Sequence, residues 1–142
     1  MSSTGSSTAR AAALGAAVFG VLGLVLLSVA GGLLSPSLEE FEREGVGPAV
    51  TRIHRAIVVA GFLAAVPAGF LAARVAMRHR KSLAAVVLAA AGPPFVLGAI
   101  YLLGYGFEAG LLLAGLVGCP VGALIGLGFA RGRAQRDQGS TR

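Results

Sequence analysis

Charge is what this sequence has least of. Only 13% of its 142 residues are Asp, Glu, Lys or Arg, about half the share found in a soluble domain, which excludes a cytosolic enzyme. Cysteine occurs once, as Cys119, so neither an internal disulfide nor a zinc site built on cysteines is available. Tryptophan is absent. Catalytic triads, phosphate-binding loops and paired carboxylates are absent too, and with them most hydrolytic and phosphoryl-transfer chemistry. No ionisable residue stands in the middle of any long apolar run, and ion-coupled transport ordinarily needs one there to bind and release the ion. Glu108, at the edge of the last run, comes nearest. That disfavours a small multidrug-type antiporter despite the matching length.

What fills the chain is apolar. Hydrophobic residues make up 56%, glycine adds 22 residues, and the mean hydropathy is +0.82. Runs of about 20 apolar residues, each able to cross roughly 30 Å of hydrocarbon, cover residues 11–34, 53–73, 83–103 and 110–130. The expected fold is therefore all-α: an integral membrane four-helix bundle over residues 11–130, between a segment 1–10 and a basic tail 131–142 expected to be unstructured. The N-terminal run exceeds the usual hydrophobic region of a secretory signal, so a retained helix is preferred.

The net charge of +6 suggests nucleic acid in a soluble protein, but here the basic residues cap the apolar runs and serve as topology signals. Arg10, Arg74, Arg78, Arg80, Lys81, Arg131, Arg133, Arg136 and Arg142 fall on one side, against Arg43, Arg52 and Arg55 on the other. The positive-inside rule then makes both termini cytoplasmic, with the cell membrane as the location. The longest connection, Ser35 to Arg52, is on the outer side. Ser37 and Glu40 have capping-box spacing and Gly45 is suited to end a helix in the left-handed conformation. A short interfacial helix follows, with Leu38 and Phe41 turned to the headgroups or the bundle mouth. Tyr101, Tyr105 and Phe107 form an aromatic belt at the other outer turn.

Helices in lipid approach through small residues, and two stripes repeat every fourth position: Ala56, Ala60, Ala64, Ala68 and Ala72, then Gly110, Ala114, Gly118, Gly122, Gly126 and Ala130. They serve packing inside the bundle or a homo-oligomer interface. Pro67, Pro93, Pro94 and Pro120 interrupt three spans, shaping the packing or opening a cavity for a cofactor. Ser28, alone in the first span, is expected to bond back to its own helix.

Of two histidines, His79 lies in a basic turn and reads as solvated. His54 opens the second span, and helical spacing sets Val58, Gly61, Ala65 and then Ala68 or Gly69 beneath it. Small residues there leave room for a flat macrocycle, imidazole is a good axial ligand for iron, and Arg52 or Arg55 can meet a propionate. The competing reading is a histidine at the membrane interface between two arginines.

Ile53-His54-Arg55 at the start of an apolar helix, followed by an arginine-rich turn, resembles the histidine-arginine motif of haem A synthase. Leu97-Gly98-Ala99-Ile100-Tyr101-Leu102 and Leu111-Leu112-Leu113-Ala114 resemble segments of that family's next two helices. The likeness spans about residues 15 to 130, one four-helix half of a family usually built from two. It implies a haem-binding bundle with His54 as metal ligand, haem b as cofactor, and a role as an active or degenerate relative in haem or respiratory oxidase biogenesis. If enzymatic, the chain would be a haem-dependent membrane oxidoreductase. It departs from the family at Thr51, where a glutamate is common, and at Phe107-Glu108-Ala109-Gly110, where a second histidine is expected. The alternative function is a non-enzymatic multi-pass subunit or scaffold of a larger membrane complex. The expected partners are the lipid bilayer and either further copies of the chain or a larger respiratory membrane complex, with no nucleic acid.

Overall fold

The computed structural model describes residues 3–34, 37–104 and 109–139. Their elements are all helical: α1 (Ser3–Leu34), α2 (Leu38–Glu44), α3 (Val46–Arg78), α4 (Leu83–Leu103) and α5 (Ala109–Gly139). Four of them, all but α2, are long and apolar enough to cross a membrane. A helix satisfies its own backbone hydrogen bonds, which lipid cannot do for it.

The bounds differ from expectation at four helix ends. The 21 residues of α4 cover about 32 Å, just the hydrocarbon thickness, whereas the 33 of α3 reach about 50 Å. The surplus of α3 lies at both ends: toward the termini the helix runs on from Ala73 to Arg78, and toward α2 it starts at Val46, not near Ile53, so most of the expected Ser35–Arg52 connection is helical. Pro48 does not stop it, because it sits in the first turn, where the backbone N–H has no helical acceptor in any case. At the opposite end of the bundle the expected unstructured tail continues α5 as an exposed helix to Gly139. Ala134, Gln135 and the arginines are good helix formers, and positive charge suits a helix C-terminus. Likewise α1 begins at Ser3, inside the segment expected to precede the first span.

The joint between α2 and α3 follows the sequence closely. The Ser37 hydroxyl accepts from the Glu40 amide at 3.2 Å, and the Ser37 amide donates to the Glu40 carboxylate at 3.2 Å. Gly45 ends α2 and precedes α3 with the expected positive φ, but at φ 77°, ψ 176° it lies outside the left-handed helical region, in one essentially closed to residues with a Cβ. Ser37→Ala is expected to cost about 1 kcal/mol locally. Hydrogen exchange should quicken over residues 38–43 while the thermal midpoint of the whole protein stays unchanged. The Ser28 hydroxyl donates to the Leu24 carbonyl at 2.9 Å, bonding back to its own helix as expected.

The interior is built from the smallest side chains. On α3, Ala60, Ala64, Ala65, Ala68, Gly69, Ala72, Ala73 and Ala76 are buried, so the first stripe packs inside the bundle from Ala60 onward. On α5 the second stripe is buried at Gly122, Gly126 and Ala130, while Ala114 is exposed. The side chain at position 110 lies outside the described residues. Backbones meet where α3 crosses α5: a Cβ added at Gly122 would stand 2.7 Å from the Phe62 carbonyl oxygen, and one at Gly126 would fall onto that of Val66. Large side chains such as Val21, Leu63, Leu88, Ile100, Val117 and Phe129 are exposed, the arrangement lipid favours. Each span is one continuous helix through Pro67, Pro93 and Pro94, or Pro120.

One packed cluster joins Ala11, Ala73, Ala76, Val86, Ala89, Ala90, Leu127 and Ala130 at the end carrying the termini. A second, nearer the middle, joins Phe19, Ala64, Ala65, Ala68, Cys119 and Ala123. Above this second cluster, toward α2, the bundle opens.

Candidate intramembrane site

His54 lies near the α2 end of α3 and is half-buried, as is Arg52, whereas Arg55 is exposed. The three share the α2-side turns of one helix. One turn down, Ile57 and Val58 face a cavity, and a further turn down so does Gly61. Ala65 does not. It is fully enclosed in the central cluster, and a Cβ added at Gly122 would meet its methyl group at 3.2 Å. Gly69 is sealed against the Ala123 backbone. The small-residue face beneath His54 is thus divided. Its upper part borders open space, and its lower part is the contact surface for α5.

The cavity holds about 250 Å³ and is bounded by all four spanning helices. From α1 come Phe19, Gly20, Gly23, Leu24 and Leu27, from α4 Leu97, Gly98, Ile100, Tyr101 and Leu102, and from α5 Gly115 and Cys119. Five glycines line it, but only at those of α1 does the missing side chain leave open space; at Gly115 its place is taken by Leu102. Additional Cβ atoms at Gly20 or Gly23 would meet nothing within 4 Å. Deeper in, the space narrows at Cys119. Cβ atoms built at Gly61 or Gly98 would each stand 3.2 Å from its Sγ, so the thiol is wedged between α3 and α4.

The walls carry one polar side chain, that of Tyr101, beside the weakly polar thiol of Cys119, and no basic group. His54 is not among the lining residues. A cavity of about 150 Å³ takes a single benzene ring, and a haem is several rings larger. The residues present therefore do not fit a haem: the proposed ligand stands above the cavity, and Ala65, expected beneath the macrocycle, is closed off. Among the described residues no three His, Cys, Asp or Glu side chains gather to hold a metal ion without a macrocycle. Tyr101 is half-buried at the cavity wall, while Tyr105, Phe107 and Glu108 lie outside the described residues. His79 is exposed at the end of α3.

Sequence reasoning singled out Gly61 but missed Gly20, Gly23, Gly98, Gly115 and Cys119. The signal was present: each spanning helix carries a glycine toward the middle or α2-side half of its length, and superposing the spans by depth would have collected them. What spacing cannot say is which of these faces meet.

Four long apolar helices around a core free of buried polar side chains, among the described residues, make this a multi-pass membrane protein. Compared with known proteins, the chain matches no family model, no curated protein and no solved structure.

Proposed function

We propose that the chain is a small non-enzymatic component of the cell membrane, an accessory subunit or scaffold of a larger assembly, and that its glycine-lined cavity seats an apolar chain. The observation that carries this reading is the character of the interior. Among the described residues no polar or charged side chain is buried, and a cavity with almost wholly apolar walls lies between α1 and the other spans. Proton or ion transfer at depth needs a group that changes charge there, and the interior offers shape instead. Scaled from the space a benzene ring takes, the cavity accommodates roughly ten carbons, the size of part of an acyl or isoprenoid chain. A transmembrane helix, about 10 Å across, is too wide.

In this reading both termini face the cytoplasm, in keeping with the arginine distribution. Helix α2 then lies at the outer interface. Its exposed Leu38 and Phe41 suit contact with headgroups, and its acidic residues suit water.

The resemblance to haem A synthase predicts a different result, and one preparation separates the two. The full-length protein is purified in mild detergent, its absorbance spectrum is recorded after haem supplementation, and its bound lipids and partner chains are identified by mass spectrometry. The expected outcome is no Soret band, a retained apolar chain, and a partner that survives His54→Ala. Gly23 lines the cavity and a Cβ there would meet nothing within 4 Å, so Gly23→Leu should displace the chain and leave the helix content unchanged. A Soret band that disappears in His54→Ala would overturn the proposal in favour of haem ligation.

A further inference from the structure

At the end of the bundle that carries the termini, α3 and α5 run past the hydrocarbon thickness side by side. A second cavity of about 330 Å³ lies between them. Arg74 and Arg78 are four residues apart on α3 and so share a face. Arg133 stands across from them on α5, one turn before Asp137, and Phe70 and Met77 contribute apolar lining. Three guanidinium groups against one carboxylate leave an excess of two positive charges in one small space. Like charges at this helical spacing repel mildly, and all three guanidinium groups are exposed, open to an anion that approaches the surface.

We propose that this α3–α5 cavity binds the phosphate of an anionic phospholipid, with Arg74, Arg78 and Arg133 on the headgroup and Phe70 and Met77 against the start of its acyl chains. Guanidinium groups match phosphate oxygens in a bidentate geometry that lysine does not reproduce. Phe70 also packs on the buried cluster around Ala73 and Leu127, so the apolar lining leads from the charged rim toward the depth of the lipid tails. A free phosphate has no use for that lining, whereas an amphiphile uses both parts. The basic end is also the one the positive-inside rule assigns to the cytoplasm, where anionic lipids collect.

The test uses the full-length protein in neutral detergent, titrated with phosphatidylglycerol or phosphatidylcholine of identical acyl chains and read by native mass spectrometry. Glycerol phosphate and inorganic phosphate form a soluble arm. Each Arg→Gln in the cavity is expected to weaken phosphatidylglycerol binding about fivefold. The combination of Arg74→Gln, Arg78→Gln and Arg133→Gln should then lower it by about two orders of magnitude. A control with Arg80→Gln, Lys81→Gln and Arg136→Gln removes the same charge from the same end, outside the cavity lining, and should change binding by less than about fivefold. Helix content and elution volume verify that each variant folds, and the single substitutions replace the triple if it does not. Equal losses in cavity and control variants would overturn the proposal, because charge alone would then explain binding. So would equal affinity for the two lipids, or saturation by inorganic phosphate at the same concentration as the lipid.

Discussion

Gly126→Ala is expected to disrupt the bundle more than the same added methyl group at any glycine facing open space. A Cβ at this position would fall onto the carbonyl oxygen of Val66 and stand 2.7 Å from the amide nitrogen of Phe70. Both atoms belong to the α3 backbone and cannot rotate away as a side chain would, so the helices themselves must separate. Overpacking a tight core costs about 1–3 kcal/mol, and backbone contact puts this site at the upper end. The loss spreads along α3 and α5, because Gly69 and Gly122 meet the opposite backbone in the same crossing and lose contact as the axes part. In lipid that van der Waals contact is the main attraction between helices, with no water to drive them back together. Gly23→Ala provides the comparison. Nothing lies within 4 Å of a Cβ there, and alanine should stabilise the helix by about 0.5–1 kcal/mol. Thermal unfolding of the two variants in one detergent should bracket the parent protein, Gly126→Ala below and Gly23→Ala level or above. If Gly126→Ala unfolds with the parent, the close crossing of α3 and α5 is wrong.

That contrast also marks how far the chain could be understood before its structure. The four spans were legible because hydrocarbon thickness demands about 20 apolar residues and the charged positions interrupt the runs at the right intervals. The Ser37–Glu40 cap and the positive φ of Gly45 were legible because they depend on residues within four positions of one another. The alanine stripe of α3 announced a packed face for the same reason. Helix ends outside the bilayer were less so: Val46–Arg52 and Arg131–Gly139 are too polar to be identified by hydropathy, yet they continue helices already begun. Least legible was the site. Helical spacing correctly set Val58 and Gly61 below His54, but whether that face meets a ligand or α5 depends on a helix more than fifty residues away. Ala65 and Gly61 look alike in sequence. One closes against α5, and the other opens on the cavity.

Cys119→Leu is expected both to destabilise the protein and to abolish retention of an apolar chain. The thiol is buried, it belongs to the central packed cluster, and it also lines the cavity. Its sulfur already stands where a methyl group on Gly61 or Gly98 would be only 3.2 Å away, so a branched side chain must push α3 and α4 apart or turn into the open space above. The first response costs about 1–3 kcal/mol, and the second fills the cavity. Cys119→Ala acts the other way, relieving the wedge and enlarging the site, and should keep the bound chain. The two effects separate in a double-mutant cycle. Gly61→Ala alone should lower the unfolding temperature because its methyl group crowds the sulfur, and in the Cys119→Ala background that penalty should shrink by about 0.5–3 kcal/mol, the range for residues in direct contact. Additive penalties would mean that Cys119 does not separate α3 from α4 at this depth. Loss of the bound chain in Cys119→Ala as well as in Cys119→Leu would mean that retention depends on the thiol itself, and the site would then be selecting by chemistry as well as by shape.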